Sequence, residues 1–231
     1  MRIAAAAMLS LALLAPAAGA APAHRAAGGA PARDWSATVT RAPSGGYVLG
    51  NPRARLRLVE YASLTCSHCA AFSAEGWPAL RANYLRRGLV SLEMRHAVRD
   101  RADLAASLLA RCAGPRGYFA TLERLFAAQA DWLPKAAAAP EGDPADTPAA
   151  REAALVATAD AADLPAIARA APAAAAACLR NPAEQKALGA MTDEAWGVRH
   201  IAGTPTFLIN DKMADGSSWK LLEPQIAAAL R

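Results

Sequence analysis

Leu56-Arg57-Leu58-Val59-Glu60-Tyr61-Ala62-Ser63-Leu64, followed at once by Thr65-Cys66-Ser67-His68-Cys69, decides how the chain is read. Val59, Tyr61 and the leucines suit a buried strand. The pattern then changes. A helix starts at Cys66 and runs through Phe72, and Trp77-Pro78 interrupts it before Leu80, Tyr84 and Leu85, because a proline inside a helical pattern kinks or restarts it. Gly88 closes the segment as a helix stop. Residues 90–98 read as a second strand, so the region is a strand–helix–strand unit.

Upstream, residues 35–41 alternate as a strand does, and Tyr47-Val48-Leu49 follows Ser44-Gly45-Gly46, which makes a short hairpin. Downstream, residues 101–199 turn helical. Leu104, Leu108 and Leu109 fall at helical spacing, as do Phe119, Leu122, Leu125 and Phe126. Residues 134–148 read as a loop, and two further helical segments follow, cut by Pro165, Pro172 and Pro182. A strand period returns in Thr206-Phe207-Leu208-Ile209, with Asn210-Asp211 as turn residues, before a final amphipathic helix over 218–230. The expected architecture is one α/β domain. Its first half is 46–100, an α-helical insertion occupies 101–199, and its second half is 200–231.

The first residues carry a different signal. Met1-Arg2 is a positive start, 3–15 an uncharged apolar run, and Pro16 precedes the small residues Ala18-Gly19-Ala20. That is the three-part pattern of a secretory signal over residues 1–21, cleaved after Ala20 or Ala21. The run is short for a membrane anchor, which needs roughly 20 apolar residues. Residues 22–45 then form a leader and the start of the hairpin. The formal charge is +5, and removing Arg2 leaves 24 basic against 20 acidic residues. The basic residues are scattered, as in Arg53-Ala54-Arg55-Leu56-Arg57, so a nucleic-acid partner is not expected. The 54% hydrophobic fraction overstates the core, since alanine is roughly a quarter of the chain.

Four cysteines in an exported chain point to an oxidising compartment. Cys66 and Cys69 form a C-x-x-C pair at a helix start, where outward-pointing N–H groups stabilise a thiolate on the first sulfur. His68 between them can add positive charge or a hydrogen bond. A stabilised thiolate leaves easily, which makes the disulfide form a strong oxidant. The competing reading is half of a zinc site. Such a site wants four ligands, commonly two knuckles, and only one knuckle is present, so no metal and no cofactor are expected. A second feature is Gly203-Thr204-Pro205-Thr206-Phe207. Proline cannot donate to a ladder, so it sits at a strand start, and from the residue alone a trans bond is the default.

The segment from Leu64 to Cys69 and the segment from Gly203 to Phe207 together resemble the DsbA-like thiol–disulfide oxidoreductase family. Arg95 and Ala105-Ala106-Ser107-Leu108-Leu109-Ala110-Arg111-Cys112 are similar to its extracytoplasmic bacterial branch. The likeness covers roughly residues 45–231. It implies a thioredoxin-like fold interrupted by the α-helical insertion. It also implies a cis Thr204–Pro205 bond beside Cys66, with Thr204 and Pro205 forming part of a client-binding edge, and a DsbB-like membrane quinone reductase that reoxidises the pair. The chain departs from the DsbA pattern Cys-Pro-His-Cys at Ser67, where redox poise is tuned.

Glu60 lies in the apolar strand six residues before Cys66. It is either solvated and outward-facing, or a proton acceptor beneath the disulfide that serves the Cys69 thiol; the resemblance implies an acidic residue there. Cys112 and Cys178 fall in the helical insertion. They are expected to form a structural bridge buried between helices, the alternative being two buried free thiols. The functional expectation is a monomeric periplasmic oxidoreductase donating the Cys66–Cys69 disulfide to reduced, unfolded exported proteins. A disulfide reductase or isomerase, or a thiol-based metal-binding carrier, are the alternatives.

Overall fold

A computed structural model describes residues 33–140 and 147–231. The expected signal segment, 1–21, lies outside them. Arg33–Arg231 forms one compact unit.

The described strands are β1 (Val39–Arg41), β2 (Tyr47–Gly50), β3 (Leu56–Ala62), β4 (Val90–His96), β5 (Thr206–Ile209) and β6 (Lys212–Met213). They form one sheet in the order β1-β2-β4-β3-β5-β6. β3 is therefore interior, parallel to β4 on one side and antiparallel to β5 on the other. Every residue of β3 except Arg57 is buried, which explains its near-continuous apolar run. The β5–β3 register sets Thr206 opposite Tyr61 and Ile209 opposite Leu58. The β5–β6 turn has positive φ at both Asn210 and Asp211, a conformation that these two residue types tolerate.

α1 (Ser67–Leu80) leaves β3 after a three-residue turn, with Cys66 as its N-cap. The expected interruption at Trp77-Pro78 does not occur. Pro78 removes one N–H from the ladder, but Phe72, Trp77 and Leu80 are all buried, and the helix runs on into a π-helical turn, Arg81–Leu85. Phe72 packs on Phe207 of β5 with ring centroids 4.5 Å apart, and on Trp219, the first residue of α9 (Trp219–Ala229), at 6.5 Å.

Between the two sheet-forming segments the described chain is helical: α2 (Arg101–Cys112), α3 (Gly114–Ala127), α4 (Gln129–Ala137), α5 (Pro148–Ala161), α6 (Leu164–Ala168), α7 (Pro172–Leu179), α8 (Pro182–Asp193) and a π-helical turn, Glu194–Val198. Helix continues past Pro134, where a loop was expected, because Trp132 is buried and its Nε1 donates to Leu125 O at 2.8 Å. Four helices follow the loop instead of two. Pro165, Pro172 and Pro182 each stand in the first turn of a new helix, where the missing N–H is not needed, so each starts a helix rather than merely cutting one.

Cys112 and Cys178 are bonded to each other, with Cα atoms 5.8 Å apart, and staple the end of α2 to α7. The bridge is buried on one side only: Cys178 is buried, whereas Cys112 is exposed because α2 ends there at the surface. The bridge closes a loop of 66 residues. Replacing both cysteines by serine is expected to lower the unfolding free energy by about 2–4 kcal/mol, from the chain entropy restored to the unfolded state. Urea titration of the paired variant against the parent measures this; equal midpoints would show that the staple contributes nothing.

Candidate active site

Cys66 has extended backbone angles, as an N-cap does, and no acidic residue occupies the first turn of α1. Its carbonyl accepts from the N–H groups of Cys69 and Ala70 at 3.1 and 3.2 Å, which starts the helix. Its sulfur sits over the N–H groups of the first turn. The Cys66 thiol is held down at about 4, against 9 for an ordinary thiol. The largest cause is a hydrogen bond from the Cys69 thiol. Hydrogen bonds from the Thr204 side chain and from the N–H groups of Cys69 and His68 outweigh, with it, the opposing effect of burial. The His68 imidazole is exposed, and what His68 supplies is its backbone N–H, not the expected charge beside the sulfur.

Cys69 is the opposite case. It is fully buried, its sulfur faces that of Cys66, and Glu60 is close enough for its charge to act on it; burial, that hydrogen bond and that charge all drive its thiol upward. Glu60 is not outward-facing. It is fully buried on the face of β3 that carries α1, and Oε2 accepts a hydrogen bond from Trp77 Nε1 at 3.0 Å while Oε1 has no partner. Burial raises the Glu60 carboxyl to about 8, only partly offset by the Trp77 donor. Glu60 therefore keeps its proton at neutral pH.

The Thr204–Pro205 bond is cis. β5 begins at Thr206, opposite Tyr61, so the two residues before it project past the end of β3 into the turn that carries Cys66. Thr204 O accepts from the Cys66 thiol at 3.1 Å, and the Thr204 hydroxyl is buried with no hydrogen-bond partner. When Cys66 ionises its sulfur becomes an acceptor only, and the Thr204 hydroxyl rather than the carbonyl satisfies it.

Two residues that were not singled out in the sequence hold this turn. Gln129, at the start of α4, donates from Nε2 to Leu64 O at 2.7 Å and to Cys66 O at 3.0 Å. Asp103 in α2 accepts from the Leu64 N–H at 2.8 Å and from the Arg99 N–H at 3.1 Å. Asp103 is raised to about 6 by burial, against donors that lower it. It continues a buried chain through Ser107 Oγ at 3.3 Å and His96 Nδ1, 2.9 Å beyond, to Tyr118, whose hydroxyl lies 2.7 Å from His96 Nε2. Burial holds His96 down at about 3, so it is neutral. Asp103 had one local signal: it stands three residues after Asp100, whose side chain accepts from the Asp103 N–H as the N-cap of α2. Gln129 had none. Cys112 and Cys178 lie in the helical part, and the disulfide they form takes no part in the cluster around Cys66.

The fold thus sets a buried thiol pair, one thiol held down and the other driven up, at a helix N-terminus beside a cis-proline turn. The profile of a family described as Thioredoxin matches residues 43–228, and the chain belongs to that family. A protein-disulfide isomerase from Novosphingobium aromaticivorans is 34% identical and superposes with a TM-score of 0.71 over 80% of this chain and 96% of that one. The alpha-DsbA1 protein of Wolbachia pipientis shares the fold at 20% identity, with a TM-score of 0.64 over 82% of this chain and 93% of its own. A Rickettsia conorii protein, provisionally named a protein-disulfide oxidoreductase, is 34% identical over 84 residues, which are 36% of this chain and 30% of that relative. The fold is thus the DsbA-like form of the thioredoxin family.

The Glu60 carboxyl binds its proton more tightly folded, at about 8, than unfolded, at 4.5. Between these values stability falls as pH rises, because the unfolded state has already released the proton. In the reduced protein, Glu60→Gln is expected to be of similar stability to the parent at pH 4.5 and more stable than it by a few kcal/mol at pH 9. Urea midpoints across that range test it, and a pH-independent difference would contradict the buried, protonated Glu60. Cys66 is expected to show a thiolate absorbance transition near pH 4.

Proposed function

We propose that this chain is a protein thiol–disulfide oxidoreductase acting through Cys66 and Cys69. The observation that carries the proposal is the asymmetry of the pair, one thiol pushed down to about 4 and the other pushed up by burial. A client thiolate attacks Cys66 in the disulfide form, and the electron pair of the broken S–S bond leaves on Cys69. A buried thiolate on Cys69 is costly, and Glu60 supplies its proton; in the reverse direction Glu60 takes it back. A second client thiol releases its proton to solvent and displaces Cys66, which leaves as a stabilised thiolate, and Glu60 regains a proton from solvent, so the client departs oxidised and the protein reduced.

Stabilising the Cys66 thiolate stabilises the dithiol form relative to the disulfide, which favours donation of the disulfide over reduction of clients. The folded-state value is depressed, so this stabilisation is full above pH 9 and is lost as pH falls through about 4. The substrate is an extended segment of a client polypeptide. Such a segment adds beside Thr204 and Pro205 at the end of β5. The clients are reduced, unfolded exported proteins, and the compartment is the periplasm, from the secretory pattern of residues 1–21. A DsbB-like membrane quinone reductase restores the disulfide, and the protein acts as a monomer. No helix among the described residues is long and apolar enough to cross a membrane.

Cys66→Ala is expected to reduce oxidation of a reduced, unfolded client to background while the circular dichroism spectrum is kept. Cys69→Ala is expected to accumulate a mixed disulfide through Cys66, visible by intact mass. Full activity in Cys66→Ala would overturn the proposal.

A further inference from the structure

Cys112 ends α2 in an exposed position, while its partner Cys178 is buried on α7. Cys112 is thus the exposed residue of the bridge and Cys178 the buried one. Beside it α3 and the α6–α7 turn enclose a cleft of about 400 Å³ lined by Cys112, Arg124 and Arg169. Its walls are otherwise small or uncharged, with Gly117, Ala120 and Ala174 leaving the space open and no carboxylate among the lining residues. Arg124 is fixed in place. Its Nε donates to Ile167 O at 3.1 Å, and its Nη2 donates to Thr121 Oγ1 at 2.7 Å and to Ala168 O at 3.3 Å. Arg169 is exposed, and its charge acts unfavourably on Arg124. The nearest acidic influence on Arg124, Glu123, is engaged by Arg81 at 2.6 Å. Two like charges thus line a cleft whose wall includes the exposed cysteine of the bridge and no carboxylate.

We propose that this cleft is a second thiol-exchange site, taking low-molecular-weight thiols that carry a carboxylate and allowing them to open the Cys112–Cys178 bridge by attack on Cys112. Arg124 and Arg169 hold the carboxylate, and the incoming thiolate forms a disulfide with Cys112. The Cys112–Cys178 bond breaks, its electron pair leaves on Cys178, and Cys178 takes a proton from water. One disulfide is exchanged for another with no net oxidation, and the step reverses when Cys178 attacks the mixed disulfide. Exchange here releases the α2–α7 staple without involving Cys66.

The test uses the full chain carrying Cys66→Ala and Cys69→Ala, so that its outcome is independent of the reading of that pair. Mercaptoacetate and cysteamine, one anionic and one cationic, are supplied at equal thiolate concentration, the reaction is quenched by alkylation, and adducts are located by peptide mass. The expected result is an adduct on Cys112, formed several-fold faster with mercaptoacetate. Arg169→Asn, which keeps a residue tolerant of the positive φ at that position, and high salt are each expected to diminish that preference, and Arg169→Lys to retain it. Adducts on Cys178 in place of Cys112, equal rates for the two thiols, or a preference unchanged in Arg169→Asn would each overturn the proposal. So would a bridge that stays unreacted in the folded chain while it reacts in urea.

Discussion

The antiparallel pairing of β5 with β3 is the constraint on which the rest of the site depends. Cys66 and Thr204 are separated by 138 residues, and nothing local brings them together. The ladder that places Thr206 opposite Tyr61 leaves Thr204 and Pro205 beyond the strand end, in the space where β3 turns into α1. A slip of one residue would turn every β5 side chain to the opposite face and take Phe207 away from Phe72. Register and aromatic packing therefore stabilise the same arrangement, and the thiol at the N-cap meets the Thr204 backbone as a consequence.

Around that meeting point the two sulfurs experience opposite environments although they lie a single helical turn apart. Cys66 is surrounded by donors from Cys69, Thr204 and the first-turn amides. Cys69 lies below, in apolar surroundings, with Glu60 as its acidic neighbour. A fully buried carboxyl with one oxygen unpartnered is unfavourable for stability. It persists as a protonated acid because burial raises it and Trp77 satisfies its other oxygen. Trp77 is itself wedged edge-on against Phe119 and Phe126 of α3, so the position of the acid depends on the helical segment as well as on the sheet.

That segment reaches the site a second time through polar contacts. Gln129 grips the carbonyls of Leu64 and Cys66, and Asp103 grips the Leu64 amide, so donors and acceptors of the turn before α1 are met by residues of α4 and α2. Backbone groups buried in an irregular turn must find partners, and here the helices supply them. The chain from Asp103 through Ser107 and His96 to Tyr118 keeps each of those groups hydrogen-bonded in a dry interior. The helices between α2 and α8 are thus part of how the Cys66 turn is held.

Local chemistry was legible in the sequence wherever the physical cause was itself local. Val59, Tyr61 and the leucines over 56–62 declare a buried strand. The cysteine spacing places one thiol at a helix start, and Asn210-Asp211 marks a turn because those side chains tolerate positive φ. Proline was legible in type but not in consequence. Pro78 and Pro134 lie inside helices held by buried tryptophans, whereas Pro165, Pro172 and Pro182 start helices, and only packing distinguishes the two outcomes. The sequence left open whether Glu60 faces water or the core; strand parity and the placement of α1 decided it. It offered His68 as a charge or a hydrogen bond beside Cys66; the fold turned the side chain outward and used the backbone amide for the hydrogen bond. Gln129 and the exposure of Cys112 could not be read at all. An amide that satisfies a turn 63 residues away, and a bridged cysteine left at the surface by the end of a helix, are properties of how elements pack, and packing is decided in three dimensions.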